Sequence, residues 1–202
     1  IVDERRTPEA QLHAGWAHTF GLPRVWRLLP DGETLGQAPL PALAQLRQSQ
    51  GAIAVQVDGS GDHRLGDLGR AVEIDAQWAT PPVQGTYGLT LAGAPDGSEM
   101  TRLYYDPQAH EIVLDKQRST LARDGEGPQL LRGTYDEAAF GKPRDFHIYI
   151  DHSVVDVFIN GAAAMSFRIY PTRADSSHFG VMSASATVAQ VKAWRMSPAP
   201  IQ

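Results

Sequence analysis

The stretch DFHIYIDHSVVDVFINGAAAMSFRIYP, residues 145–171, carries the pattern that decides the fold. Apolar and polar residues alternate along it, which is typical of strands that bury one face. If His152 and Ser153 form a two-residue turn, the apolar residues of both strands share one face, and a one-residue slip would mix them with polar residues. The sequence therefore predicts a β-hairpin in this register. The predicted cross-strand neighbours are Ile150 and Val155, Ile148 and Val157, and Phe146 and Ile159.

The next turn of the stretch contains an Asn-Gly pair, which is a strong hairpin signal. A two-residue loop would place Ser166 on the apolar face. A three-residue loop over residues 160–162 instead directs Met165, Phe167 and Ile169 inward, so we predict the three-residue loop with a bulge.

The same stretch places Asp151, His152, Ser153 and Asp156 within six positions, which is compatible with an active site or with a scaffold. The two aspartates would be diagonal neighbours at roughly 7–8 Å, within the range of an inverting glycosidase pair. However, no Trp or Arg cluster lies nearby in sequence, and three adjacent residues of a tight turn cannot align as a hydrolase triad. We interpret them as the polar side of a scaffold. The expected neighbours of Asp156 are Ser166, Tyr149 and Arg168.

The rest of the chain is dominated by short runs of Val, Ile, Tyr and Phe separated by turn residues. About ten such runs follow residue 50 and predict an all-β, two-sheet antiparallel β-sandwich for residues 51–202. A Pro- and Gly-rich segment and a short helix after Pro41 predict a linker at residues 37–50. Residues 1–36 contain two or three strands, one of them predicted at residues 15–20, too few to bury a face alone.

Composition excludes several classes of function. The 202 residues carry a formal net charge of -5 and no cysteine, which excludes thiol catalysis and thiolate zinc sites. No basic stripe indicates nucleic-acid binding, and no apolar run approaches the roughly 18–20 residues of a membrane span. The histidines show no metal-ligand spacing, so we expect neither a metal nor a cofactor.

The opening residues, IVDERRTPEAQL, have no initiator Met, and we expect a chain cut from a longer polypeptide. The compartment, cytoplasmic or secreted, stays open because cysteine-free chains occur in both. The 18 basic residues include only three lysines, Lys116, Lys142 and Lys192. This arginine bias, together with abundant alanine, is typical of a GC-rich bacterial source.

Three stretches together carry a family likeness. Residues 145–171 fit the form hhDxSxxEvFxNxG…RhYP, and the other two are AGWAHTFGLPRVWRLLPDGETLGQAPLPALAQLR (14–47) and MTRLYYDPQAHEIVLDKQRST (100–120). They resemble the sandwich signature, the propeller end with its linker, and an intervening strand pair of glycoside hydrolase family 32. That family comprises invertases, inulinases, levanases and sucrose-6-phosphate hydrolases. His152 and Asp156 stand where Arg and Glu are common, and LDKQRST has two extra residues before its RS.

The resemblance implies a β-sandwich preceded by the last strands of a five-bladed β-propeller, in a retaining β-fructofuranosidase that acts on sucrose or fructans. The family's catalytic groups lie in NDPN, RDP and EC motifs. YDPQ (105–108) and RDF (144–146) do not fit these motifs, and EC is impossible without cysteine. The resemblance therefore implies that this chain contains no catalytic residue, braces the catalytic propeller and is inactive alone.

The implied partner is the N-terminal propeller portion, which would bind the sucrose or fructan substrate, and a homodimer is a further expectation because the sandwich mediates dimerisation in some members. Asp3, Glu4 and Arg5 follow the end of the propeller wall and are the expected substrate-binding residues at the pocket rim, with a solvated connector as the alternative. Trp16, Trp26, Trp78 and Trp194 are expected to pack rather than to bind sugar.

The alternative function is a fructan- or glycan-binding module, or an oligomerisation domain. A binding module would use exposed aromatic side chains, for which the candidates are Tyr149, Tyr170 and Phe158.

Overall fold

The computed structural model describes residues 2, 6–122 and 129–200, and within them twelve strands dominate. Two short α-helices and one 3₁₀ helix accompany the strands. The helices are α1 (Pro8–Ala14), the 3₁₀ helix (Pro41–Leu46) and α2 (Glu137–Phe140). The strands are β1 (Arg24–Leu28), β2 (Leu35–Pro39), β3 (Ile53–Asp67), β4 (Ala71–Trp78), β5 (Tyr87–Gly93), β6 (Met100–Asp106), β7 (Glu111–Arg118), β8 (Leu130–Thr134), β9 (Asp145–Asp151), β10 (Val154–Ile159), β11 (Ala163–Arg168) and β12 (His178–Arg195).

Strands β3 to β12 form one antiparallel sheet that curls into the two layers of a β-sandwich. The first layer has the order β11-β10-β9-β4-β12, and the second continues as β12-β5-β6-β7-β8. β12 belongs to both layers, because its second part, Ala189–Arg195, pairs with β4 and its first part, His178–Ser183, pairs with β5. β3 follows β12 along most of its length and changes layer at Gly59 and Gly61, whose φ values are 117° and 110°. The predicted all-β, two-sheet antiparallel β-sandwich is thereby confirmed.

The predicted hairpin of residues 145–171 is confirmed in register. Ile150 lies opposite Val155, and Phe146 lies opposite Ile159. Ile159 in turn pairs with Ala163, which leaves the predicted three-residue loop. The apolar face of these strands enters the main core, where the alternating residues of both layers meet.

An aromatic chain fills the centre of this core. Trp78 contacts Phe146 and Tyr87, with ring centroids 5.0 and 5.6 Å apart, and Tyr105 follows at 5.8 Å from Tyr87. The Tyr87 hydroxyl donates to the Pro143 carbonyl oxygen at 2.7 Å, so its polar end is satisfied. The packing predicted for Trp78 is confirmed, since this side chain is 1% exposed.

Several elements differ from the sequence-based expectation. The strand predicted at residues 15–20 is wrong: α1 ends at Ala14, its C-cap Gly15 is left-handed, and His18 also has a positive φ, of 63°, which interrupts any extended run. β2, β8 and the second half of β3 were not predicted, because their glycine-rich or polar sequences are typical of loops. β12 runs unbroken over His178–Arg195, where the alternation of the sequence predicts two strands, at residues 178–184 and 189–196.

Candidate functional site

The outer face of the first layer is covered by the segment that precedes the sandwich. The 3₁₀ helix lies on this face, and Leu43, Tyr149 and Phe158 are buried in a second, small core beneath it. Leu22, Leu46, Ala164 and Met196 are partly buried around them. The face predicted to be the polar side of a scaffold is therefore covered by another part of the chain.

Asp156 is one of two carboxylates buried on this face. Its side chain is 1% exposed and accepts from Arg24 Nη2 at 2.7 Å, from the Leu22 backbone N–H at 2.9 Å and from the Ser166 hydroxyl. The register confirms Ser166 and Tyr149 as its cross-strand neighbours. The expected partner Arg168 is not bound to Asp156: it donates from Nη2 to Ser153 Oγ at 2.7 Å.

Glu73 of β4 is the second buried carboxylate, and its side chain is fully buried. Arg47 donates to both oxygens at 2.6 Å, His147 Nε2 lies 2.6 Å from Oε1, and the Tyr149 hydroxyl donates at 2.9 Å. Burial by itself would raise the pKa of Glu73, but the hydrogen bonds from Arg47, His147 and Tyr149 outweigh it and lower the pKa to about 2. Glu73 is therefore a charged anchor and has no use as a proton donor near neutral pH.

The crowded turn does not assemble a reacting centre. Asp151 has a 68% exposed side chain and accepts from His152 Nδ1 at 2.8 Å, whereas Asp156 is enclosed beneath Arg24. His152 takes a left-handed φ of 52°, as the first residue of a tight turn does. The aspartate of YDPQ, Asp106, accepts from the backbone N–H of Gln108 at 3.0 Å and stabilises a turn. None of these carboxylates has the setting of a catalytic pair.

Asp75 and Asp145 form a carboxylate pair that was not predicted. They lie on the neighbouring strands β4 and β9, where Asp75 pairs with His147 and Asp145 with Gln77. Burial raises the pKa of Asp145, and the charge of Asp75 raises it further. A cavity of about 300 Å³ borders Asp145 and Trp78. The alternation of apolar and polar residues along β4 and β9 indicates that both aspartates face away from the core. Nothing in the sequence indicates that these two strands pair.

The remaining predictions concern the pocket rim, a metal site, a membrane span and an aromatic platform. Asp3, Glu4 and Arg5 lie outside the described residues. Within the described part of the chain, no three His, Asp or Glu side chains are grouped so that they could hold a metal ion, and no helix there could span a membrane. Tyr149 and Phe158 are 6% and 0% exposed, so they cannot form the aromatic platform of a glycan-binding module.

The tryptophans of the N-terminal segment behave differently from each other. Trp16 is 44% exposed and lies against two guanidinium groups, Arg6 Cζ at 4.2 Å and Arg168 Cζ at 4.7 Å from the ring centroid. It packs as expected, against cations. Trp26, which was also expected to pack, is 59% exposed on β1.

An apolar surface lies on the β1–β2 hairpin. Trp26, Leu28 and Leu35 share one face of this two-stranded ribbon, since Leu28 pairs with Leu35 and Trp26 lies two residues away. They are 59%, 59% and 56% exposed. Phe20 and Leu12, which are 79% and 82% exposed, extend the apolar character of the segment. Among the described residues β1 and β2 pair as strands only with each other, and β2 makes one further backbone hydrogen bond, from the Gln37 N–H to the Ala162 carbonyl oxygen.

The comparisons with known proteins assign this sandwich to the glycosyl hydrolases. The chain belongs to glycoside hydrolase family 32: the family model described as "Glycosyl hydrolases family 32 C terminal" matches residues 42–195. Among curated proteins the chain is similar to fructan 1-exohydrolase w2 of Triticum aestivum, with 28% identity over 98% of this chain and 40% of that protein. Fructan 1-exohydrolase of Hordeum vulgare is 27% identical over the same shares. The chain thus spans about 40% of the length of these relatives.

Solved structures share the fold. Fructan 1-exohydrolase IIa from Cichorium intybus superposes with a TM-score of 0.78 at 18% identity, over 97% of this chain and 44% of that one. Exo-inulinase from Aspergillus awamori gives a TM-score of 0.74 at 18% identity, over 90% of this chain and 36% of that one. The resemblance to family 32 drawn from the sequence is confirmed.

Proposed function

We propose that this chain is the C-terminal portion of a retaining β-fructofuranosidase that acts on sucrose or fructans. It braces a catalytic N-terminal propeller and does not hydrolyse sugar alone. Membership of family 32 and similarity to proteins named fructan 1-exohydrolase support the reaction class. The proposal accounts for three of the described carboxylates, because Asp156 and Glu73 bind arginines and Asp151 lies on a turn.

The observation that carries the proposal is the apolar β1–β2 hairpin. A two-stranded ribbon is marginal in water without a face packed on something else. Here its Trp26, Leu28 and Leu35 are more than half exposed, and the large exposed apolar residues concentrate between residues 12 and 40. A contiguous exposed patch of this kind marks an interaction surface. We propose that the hairpin is the last part of the propeller and that the preceding polypeptide covers it.

The domain assignment belongs to the same proposal. Residues 1–36 would be the terminal propeller strands, 37–50 the linker and 51–202 the sandwich. β2 continues to Pro39, so the hairpin extends into the proposed linker by three residues beyond 36. Asp3, Glu4 and Arg5 at the pocket rim, a homodimer and a bacterial source remain proposals from the sequence.

The experiment measures fructose release from sucrose and inulin by this chain alone and by the chain together with a separately expressed family 32 propeller portion. We expect no release by the chain alone and recovery of activity with the propeller. The double variant Trp26→Ser/Leu28→Ser should weaken this recovery and the co-elution of the two parts. Val83→Ser, which changes an 82% exposed apolar residue in the loop after β4, is the matched control. Fructose release by the chain alone would refute the proposal.

A second candidate function, a glycan-binding module, is disfavoured by the burial of Tyr149 and Phe158. Calorimetric titration of the chain with inulin, levan and sucrose separates the two functions. Heat of binding by the chain alone would favour the module.

A further inference from the structure

The two buried carboxylates of the outer face each hold an arginine of the covering segment. Arg24 Nη2 lies 2.7 Å from Asp156 Oδ1, and Arg47 Nη2 lies 2.6 Å from Glu73 Oε1. The acids are 1% and 0% exposed, whereas the arginine side chains are 21% and 32% exposed. Both acids lie on strands of the sandwich, whereas Arg24 begins β1 of the hairpin and Arg47 follows the 3₁₀ helix. Both arginines therefore reach the sandwich from residues 22–48.

Each guanidinium also lies over an aromatic ring of the sandwich. Arg24 Cζ is 5.4 Å from the ring centroid of Phe158, and Arg47 Cζ is 4.0 Å from that of Trp194. Arg47 approaches Glu73 with two donors, Nε and Nη2, which is the bidentate geometry that only arginine offers. These contacts fix the direction of each guanidinium group.

Hydrogen bonds from backbone N–H groups and from the Arg27 side chain to backbone carbonyl oxygens lie between and beside these two ion pairs. The Gln37 N–H donates to the Ala162 carbonyl oxygen at 2.7 Å, and Arg27 donates to the Gly161 carbonyl oxygen at 2.9 Å. At the end of the segment, the Gln48 N–H donates to the Arg195 carbonyl oxygen at 2.9 Å. Residues 22–48 are thus tied to the sandwich at their beginning, middle and end.

We propose that Asp156 and Glu73, with Arg24 and Arg47, form a clamp that fixes the hairpin and the 3₁₀ helix in one orientation on the sandwich. The segment is then a rigid part of the sandwich and not a flexible tether. Whatever the hairpin joins on its apolar side inherits this orientation. The clamp is a property of the chain itself, so it stands or falls independently of the fructosidase assignment.

Hydrogen–deuterium exchange of the intact chain tests the clamp. The double variant Arg24→Gln/Arg47→Gln changes two partly exposed side chains of the covering segment. All buried side chains of the sandwich stay the same. We expect peptides from residues 20–48 to exchange about tenfold faster or more in the double variant, a factor equivalent to about 1.4 kcal/mol. Peptides from β5, β6 and β7 should exchange as in the parent chain.

Two further variants sharpen the comparison. Arg47→Lys keeps the charge but loses the bidentate contact, so it should release residues 40–48 partially. It also serves if the double variant does not fold. Arg102→Gln is the matched control, because it breaks the Arg102–Asp62 ion pair on the second layer, whose acid is 53% exposed, and should leave residues 20–48 unchanged.

Two results would overturn the proposal. Unchanged exchange of residues 20–48 in the double glutamine variant, or in Arg47→Lys if only that variant folds, would show that apolar packing alone holds the segment. Parallel acceleration of the segment and of β5 to β7 would show that the ion pairs support the whole fold and not the position of the segment.

Discussion

Replacing Asn160 by alanine should destabilise the sandwich more than any nearby surface change. Asn160 begins the three-residue loop between β10 and β11, with a left-handed φ of 55°. Its Oδ1 accepts from the backbone N–H groups of Arg144 and Asp145 at 3.0 and 3.1 Å. Its Nδ2 donates to a group of acceptors around α2. These are the Phe140 carbonyl oxygen at 2.8 Å, the Lys142 carbonyl oxygen at 2.9 Å and the Tyr135 hydroxyl at 3.1 Å.

The expected magnitude follows from these contacts. Alanine removes all of them and leaves the partner groups to find water or stay unpaired, at about 1 kcal/mol for each hydrogen bond whose partner cannot be resolvated. Alanine also tolerates the left-handed conformation less well than asparagine, which adds about 1 kcal/mol. We expect Asn160→Ala to lower the free energy of unfolding by about 3–5 kcal/mol, a large fraction of the stability of an ordinary domain.

Urea denaturation followed by tryptophan fluorescence measures this loss, since Trp78 lies in the core. Asn160→Gly is the matched control: it removes the same side chain but relieves the left-handed strain, so it should be about 1 kcal/mol more stable than Asn160→Ala. A loss below about 1 kcal/mol in both variants would refute the reasoning, because it would mean that water replaces the side chain at little cost.

Two other predictions concern buried carboxylates. Glu73 has a folded-state pKa of about 2, below its ordinary value of 4.5, so its stabilisation is complete above pH 4.5 and is lost as the pH falls toward 2. Thermal melts from pH 7 to pH 2 should show that the melting temperature falls between pH 4.5 and 2, and that it falls less in Glu73→Gln. An equally steep fall in that variant would contradict the prediction. Glu99 accepts from the backbone N–H groups of Leu121 and Thr172 at 2.9 and 2.8 Å and from Ser176 Oγ at 2.6 Å. Glu99→Gln presents an amide to some of these donors and should lower the free energy of unfolding in urea by about 3 kcal/mol. An unchanged free energy of unfolding would show that other contacts hold Leu121, Thr172 and Ser176 in place.

The sequence predicted the central strands well because their side chains follow one simple rule. In residues 145–171, period-two alternation and two turn signals leave one register that buries all the apolar residues. The glycine-rich part of β3 breaks this rule, since DGSGDHRLGD is typical of a loop. It is a strand because β12 supplies a continuous partner over both layers, which no local pattern reveals.

The candidate site was less predictable because its contacts join distant parts of the chain. Asp156 and Arg24 are 132 residues apart, and Glu73 and Arg47 come from different elements. The cross-strand rule correctly placed Ser166 beside Asp156, and it offered Arg168 as the nearest cation. A cation arriving from a covering segment lies outside any rule based on strand pairing. The resemblance to the family identified the fold, but it did not indicate that Arg24 and Arg47 bind the buried carboxylates.

The buried acids of the outer face have a physical reason to remain where apolar residues would also fit. Replacing a buried ion pair by packed apolar residues is often neutral or stabilising, so stability alone does not explain them. The small core beneath the 3₁₀ helix is built around Leu43, Tyr149 and Phe158, and apolar contacts of this size permit several arrangements. A bidentate arginine permits few, because both donors must meet both oxygens. The clamp therefore contributes a single orientation of the hairpin, as the proposed bracing of a propeller requires.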